Sequence, residues 1–239
     1  MKPVLVLQHM NGDSPAYLGT WLAAQGVACE VRNSAAGDVF PQQLAAYGAL
    51  AILGGEMSAN DASPALRRAE VLIREAVRDG VPTIGHCLGG QLMARALGGV
   101  VTASPAPEVG WQPMRVLEDP LAQLWLGAPG ETRVFQWHDE AFSVPPGASV
   151  LATSSACAHQ AFALGPHLAL QFHVEIDAAK LGLWSSQADA RPHARLGRCA
   201  TVHGGAQMRS DAALCLPVQQ RLADRVYARW LGAAAQRAA

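Results

Sequence analysis

No stretch of this sequence gathers lysine and arginine into a basic stripe, and 18 basic residues stand against 19 acidic ones. Nucleic acid and anionic membrane surfaces are therefore poor partners for it. Charge of either sign is scarce: 15% of the 239 residues are charged, against about a quarter in an ordinary globular domain. Long hydrophobic runs are missing as well. The first apolar run, residues 4–7, meets polar residues at once and is too short for a signal-peptide core or a membrane span; a cytoplasmic location is the simplest expectation. The cysteines Cys29, Cys87, Cys157, Cys199 and Cys215 are odd in number, scattered and without a CxxC pair, which argues against a disulfide framework or a zinc knuckle. The histidines lack metal-ligand spacing and no P-loop is present, so neither a metal nor a cofactor is expected. Internal repeats are absent too.

What is present is a strongly apolar chain, half of it hydrophobic, with enough length for one good core. Apolar strands are expected at residues 4–7, 49–53 and 82–84, and an alternating strand at 27–32. Helices are expected from Ser14-Pro15 to about residue 25, at 41–47, from Ser63-Pro64 to Gly80, and at 91–97. This alternation marks an open, mostly parallel sheet with helices on both faces, an α/β doubly wound, flavodoxin-like fold. After Val100 short extended pieces replace the helices, at 112–117, 133–138, 150–153, 161–164 and 168–172, which predicts a smaller antiparallel region in the second half. Helices follow at 176–185 and 214–231, the latter with Leu216, Leu222, Val226 and Trp230 as its buried stripe; residues 187–211 fit no element, and 232–239 should fray. One domain is expected, with a core over 1–186 and a C-terminal helical extension over 187–239.

The segment Gly85-His86-Cys87-Leu88-Gly89 follows an apolar strand and precedes a helix. That is the setting of a nucleophile elbow, where flanking glycines remove side chains that would clash in a sharp strand-to-helix turn. The turn places sulfur at a helix N-terminus, whose free N–H groups favour thiolate and can stabilise an oxyanion. A cysteine packed for bulk alone in a Gly-rich turn is the competing reading. A working nucleophile needs a base and a group to orient it. In Gln171-Phe172-His173-Val174-Glu175 the imidazole and carboxylate are two apart, on the same side of an extended chain. The resulting order, Cys87, His173, Glu175, differs from the nucleophile, acid, histidine order of α/β-hydrolases.

Three segments, Leu53-Gly54-Gly55-Glu56-Met57, Gly85-His86-Cys87-Leu88-Gly89-Gly90-Gln91 and Gln171-Phe172-His173-Val174-Glu175, together resemble those of a class I glutamine amidotransferase of the triad type. The likeness is to stand-alone members similar to the amidotransferase domain of GMP synthase, and it spans about residues 1–186. By this resemblance Cys87 attacks the side-chain amide of glutamine, His173 is base and acid, and Glu175 orients it, with a γ-glutamyl thioester hydrolysed after ammonia leaves. The oxyanion hole falls at the backbone amides of Gly55 and Leu88. Gln91 lies against the substrate, and Trp137-His138 matches the segment whose backbone meets the substrate's α-amino and carboxylate end.

The sequence departs from the family pattern at His86, where an apolar residue is usual, and at Glu56 and Val174, which replace prolines; none of these removes a reacting group. His86 is expected to be structural. The substrate implied is glutamine or another γ-glutamyl compound, and a separate synthetase is the implied acceptor of ammonia. A stand-alone hydrolase of γ-glutamyl peptides or conjugates, and a catalytically silent binding module, are the alternatives.

Overall fold

The computed structural model of the chain describes residues 2–190 and 199–238. Its strands are β1 (Val4–Gln8), β2 (Cys29–Asn33), β3 (Ala49–Ile52), β4 (Thr83–His86), β5 (Val101–Val116), β6 (Gly130–Phe142), β7 (Ser149–Thr153), β8 (Ala161–Leu164) and β9 (His167–Leu170). The helices are α1 (Tyr17–Ala24), α2 (Pro64–Asp79), α3 (Leu88–Ala96), α4 (Pro120–Leu126), α5 (Ala178–Ala190) and α6 (Gly205–Ala238). The strands form one nine-stranded sheet in the order β2-β1-β3-β4-β9-β8-β7-β5-β6. The first five in that order run parallel, and β9-β8-β7-β5-β6 pair antiparallel. This is the open α/β sheet expected from the sequence, parallel in its first half and antiparallel in its second.

Successive strand residues point to opposite faces, so a strand buried on both sides feeds two cores. Val4 and Val6 of β1 join one cluster with Leu18 and Trp21 of α1 and Val226, Tyr227 and Trp230 of α6. Leu5 and Leu7 join the other with α2 and α3 residues such as Leu72, Ile73 and Leu92. A third cluster, with Trp111, Phe135, Trp184 and Met208, ties α5 and α6 to the β5–β6 ribbon.

The structure corrects several expectations. Residues 41–47 form no helix: Leu44 and Tyr47 plug the second core from a turn, and the Leu44 N–H is met by the Glu75 carboxylate at 2.7 Å rather than by a helical carbonyl. Ser14 does not cap α1. That helix starts at Tyr17 after Ala16, held at φ 44°, ψ −120°, and the Tyr17 N–H donates to the Glu175 carbonyl at 2.9 Å. Helix α4, not expected, opens on Asp119-Pro120, where the Asp119 carboxylate accepts from the Leu121 and Ala122 amides. Strands β5 and β6 run well beyond the pieces anticipated, with a register shift between Ala103 and Glu108. Helix α6 begins nine residues earlier than residue 214, at Gly205, and passes through the end expected to fray, reaching Ala238. Part of the unassigned stretch 187–211, namely 191–198, lies outside the described residues.

Two buried histidines make the fold acid-sensitive. His167, at the start of β9, is 2% exposed and its Nδ1 has no hydrogen-bond partner among the described residues; burial lowers its pKa from 6.5 to about 4. Burial lowers His9 to about 4 as well, with the Asp13 carboxylate opposing. Below pH 6.5 the unfolded chain binds protons that the native state refuses, so stability falls from there down to about pH 4, by about 1.4 kcal/mol per pH unit for each such group. We expect His167→Gln to remove about one proton from the slope of unfolding free energy against pH in that window, measured by urea denaturation. An unchanged slope refutes the assignment.

Candidate functional site

The carboxyl ends of β1, β3, β4 and β9 converge on one place, the usual position for a site in an open α/β sheet. Strand β4 ends at His86, and α3 begins at Leu88. Cys87 alone makes the turn, at φ 48°, ψ −108°, a left-handed conformation that costs a non-glycine residue about 1–3 kcal/mol. Its N–H continues the sheet by donating to the Leu170 carbonyl at 2.8 Å, and its carbonyl accepts the first helical bond from Gln91 at 3.0 Å. The neighbouring glycines allow this close approach. A Cβ on Gly85 would come 2.5 Å from the backbone carbon of Gly89, and one on Gly89 would collide with the Ile52 carbonyl oxygen.

His173 and Glu175 follow β9, yet not on an extended strand: β9 ends at Leu170, and 171–175 is a turn. The same-side argument from strand alternation is therefore corrected, although the pair does meet. His173 Nδ1 donates to Glu175 Oε1 at 2.6 Å, and the Cys87 sulfur lies near enough to the ring to help raise its pKa. The turn is pinned from outside, since the His173 N–H donates to the Phe135 carbonyl at 2.9 Å. Gln219 of α6 donates to the His173 carbonyl at 3.0 Å and accepts from the Phe135 N–H at 2.6 Å.

Burial alone would push His173 toward the neutral ring, but the Glu175 carboxylate and the Cys87 sulfur outweigh it and its pKa rises. Burial likewise favours a protonated Glu175, and the charges of His173 and Lys180 overturn that, holding the carboxyl well below its usual range. Imidazolium beside carboxylate is the arrangement these shifts favour. His86, the departure from the family pattern, is fully buried and kept neutral by desolvation; its Nε2 lies 3.3 Å from the Tyr227 hydroxyl and 3.9 Å from Glu175 Oε2.

These groups border a pocket of about 330 Å³ whose walls include Gly55, Cys87, Gln91, Trp137, His138 and His173. Leu88 and Glu175 are fully buried behind it. A Cβ on Gly55 would lie 2.8 Å from Leu88 Cδ2, so Gly55 packs against the Leu88 side chain, and first-turn amides such as that of Leu88 have no partner within their own helix. The Trp137 carbonyl faces the Cys87 sulfur at 3.6 Å. Gln91 Nε2 donates to the Glu140 carbonyl at 3.0 Å, which His138 Nδ1 also approaches at 3.1 Å. His138 Nε2 rests 3.2 Å from Glu108 Oε2. The bulge in β5 sets Glu108 opposite His138 in the ladder.

Two residues that the sequence did not single out, Lys180 and Asp13, complete the cluster. Lys180 of α5 places its ammonium on the Asp13 carboxylate and 3.4 Å from Glu175 Oε1. The sequence carried one signal for it: the chain has two lysines, Lys2 and Lys180, among 18 basic residues, and Lys180 sits in an otherwise apolar helical segment.

The fold is thus that of an α/β protein with a cysteine at a strand-to-helix elbow. A family model described as glutamine amidotransferase class-I matches residues 20–182. The chain is 30% identical over 182 residues to YfeJ, a glutamine amidotransferase-like protein of Salmonella typhimurium, covering 73% of this chain and 76% of that protein. It is 35% identical over 99 residues to a glutamine-hydrolysing GMP synthase subunit of Pyrococcus abyssi, covering 40% of this chain and about half, 52%, of that protein. The crystal structure of a glutamine amido transferase from Methylobacillus flagellatus superimposes with a TM-score of 0.93 at 36% identity, covering 98% of this chain and 95% of that one. The chain belongs to the class I glutamine amidotransferase family. No helix among the described residues is long and apolar enough to cross a membrane.

Because the elbow depends on backbone contact at Gly89, Gly89→Ala should lower the unfolding free energy by about 1–3 kcal/mol. Gly182→Ala in α5, where a Cβ meets nothing within 4 Å among the described residues, should lower it not at all. Urea denaturation of both variants checks this; equal stabilities would sink the close-approach argument.

Proposed function

We propose that this chain hydrolyses a γ-glutamyl amide through a thioester on Cys87, releasing ammonia and glutamate when the substrate is glutamine. The observation that carries this reading is the His173–Glu175 pair, hydrogen-bonded at 2.6 Å, with the His173 ring and the Cys87 sulfur on one pocket wall. In the first half-reaction Cys87 Sγ attacks the amide carbon and the carbonyl electron pair moves onto oxygen. The Gly55 and Leu88 amides receive that oxyanion, an interaction for which one donor is typically worth about 3 kcal/mol. His173 passes its proton to the departing nitrogen, the C–N bond breaks and ammonia leaves. In the second half, His173 takes a proton from water as the oxygen attacks the thioester, and the proton returns to sulfur as the C–S bond breaks. Glu175 keeps the ring turned toward the sulfur and stabilises the imidazolium between steps.

Gln91, Trp137 and His138 hold the amino-acid end of the substrate, Gln91 and His138 being fixed on a common carbonyl at Glu140. The Pyrococcus abyssi relative is named as one subunit of a GMP synthase, which supports a separate synthetase as the acceptor of ammonia.

The test is to incubate the purified chain with glutamine, and separately with γ-glutamyl dipeptides, while measuring ammonia, released amino acid and glutamate. We expect glutamate from glutamine and at least a 100-fold loss in Cys87→Ala, within the usual range for removing a nucleophile. Turnover of dipeptides but not of glutamine would replace the ammonia-releasing reading with that of a γ-glutamyl conjugate hydrolase. Full turnover by Cys87→Ala would overturn the mechanism.

A further inference from the structure

The hydrogen-bonded line at the pocket continues past Glu175. Oxygen Oε1 of Glu175, which accepts from His173 at 2.6 Å, also takes the Lys180 ammonium at 3.4 Å. That ammonium in turn pairs with Oδ1 of Asp13. The side chains of Lys180, Asp13 and Glu175 are 2%, 1% and 0% exposed, so all three charges are withdrawn from water. Buried charge of this kind is tolerated only when it is paired, and removing one partner leaves the other stranded. Trp184 closes the cluster: the Lys180 ammonium lies 5.1 Å from its ring centre, and the same ring meets the His173 imidazole edge-on at 4.8 Å.

Counting formal charges gives the cluster its logic. Asp13 and Glu175 contribute two negatives and Lys180 one positive, so the set is neutral when His173 carries a proton. The other groups facing Glu175 add no charge. His86 approaches from β4 and is kept neutral by burial. Tyr227, from α6, reaches Glu175 past His86 and is held protonated by burial. Among the described residues the cations on Glu175 are therefore His173, from its own turn, and Lys180, from α5. Asp13 also approaches the working groups directly: a Cβ on Gly54 would lie 2.7 Å from Asp13 Oδ2, 3.0 Å from His173 Cε1 and 3.7 Å from Cys87 Cβ.

Resting on the reading of Cys87, His173 and Glu175 given above, we propose that Lys180, anchored by Asp13, is a positioning residue that fixes the Glu175 carboxylate in place and in its ionised form, so that His173 stays turned toward Cys87. Lys180 does not line the pocket; it acts through Glu175. A role confined to anchoring α5 predicts a loss of stability alone. A positioning role predicts a change in the acid behaviour of Cys87.

The experiment measures the rate of Cys87 alkylation by iodoacetamide against pH, read by peptide mass spectrometry, in the wild type and in Lys180→Met, with circular dichroism and thermal melts as controls for folding. Met keeps the unbranched stem and removes the charge. Without the ammonium, two buried carboxylates face one imidazolium, so Glu175 takes up a proton at higher pH and the thiolate form of Cys87 is lost sooner on acidification. The acid limb of the alkylation profile should move upward by about one pH unit, and kcat for glutamine should fall about tenfold or more with KM within about twofold. Should Lys180→Met fail to fold, the double variant Asp13→Asn/Lys180→Met removes both buried charges together. Its limb should still lie above that of the wild type, because Lys180 touches Glu175 and Asp13 reaches it through the lysine. An acid limb at the wild-type position in a folded variant overturns the proposal, whatever the change in melting temperature. Alkylation requires no turnover, so absence of γ-glutamyl hydrolysis in the wild type would refute the proposed function and leave this test intact.

Discussion

A carboxylate with none of its surface in water stays charged only if cations are brought to it, and the architecture around Glu175 is organised to bring them. One is the His173 ring two residues earlier, at 2.6 Å; the other is Lys180, delivered by the helix that begins just after the turn. The first N–H of α1 is spent on the Glu175 backbone carbonyl, so the carboxylate's own main chain is tied to that helix. Withdrawing any of these supports leaves a buried charge whose desolvation the remaining contacts must offset.

The cysteine side of the site is governed by a different constraint, the left-handed turn at Cys87. The strain is held by contacts on both flanks: β4 is hydrogen-bonded between β3 and β9, and α3 sits directly on Ile52 and Leu170 through its glycines. Strain of this sort persists only where the surroundings over-determine it. The sulfur is therefore placed by the sheet itself and not by a loop, the placement that the proposed attack within a narrow range of angles would need.

How much of this was readable beforehand depended on whether the cause was local. Strands β1, β3 and β4 were legible as short apolar runs next to glycine or proline, β2 by its alternation, and the elbow because strand, glycines and helix are contiguous from residue 82 to 97. Residues 41–47 misled because their apolar side chains are buried from a turn, with a distant glutamate supplying the hydrogen bond a helix would have provided. His173 and Glu175 were paired correctly by spacing, but through a turn whose shape is imposed by Phe135 and Gln219, far away in the chain. The Asp13–Lys180 pair spans 167 residues; Asp13 lies in an Asn-Gly-Asp-Ser-Pro segment that looks like an ordinary turn, and nothing in its neighbourhood announces a partner.

Gln219 grips both the amide of Phe135 and the carbonyl of His173, and Tyr227 reaches His86 from the same helix, yet both lie beyond the 20–182 stretch that the family model matches. A boundary drawn by kinship is thus not a mechanical one. Transplanting only the matched segment into a chimera would carry over Cys87, His173 and Glu175 and leave behind the clamp on the turn that holds His173, so a design that borrows this cluster has to borrow its last helix as well.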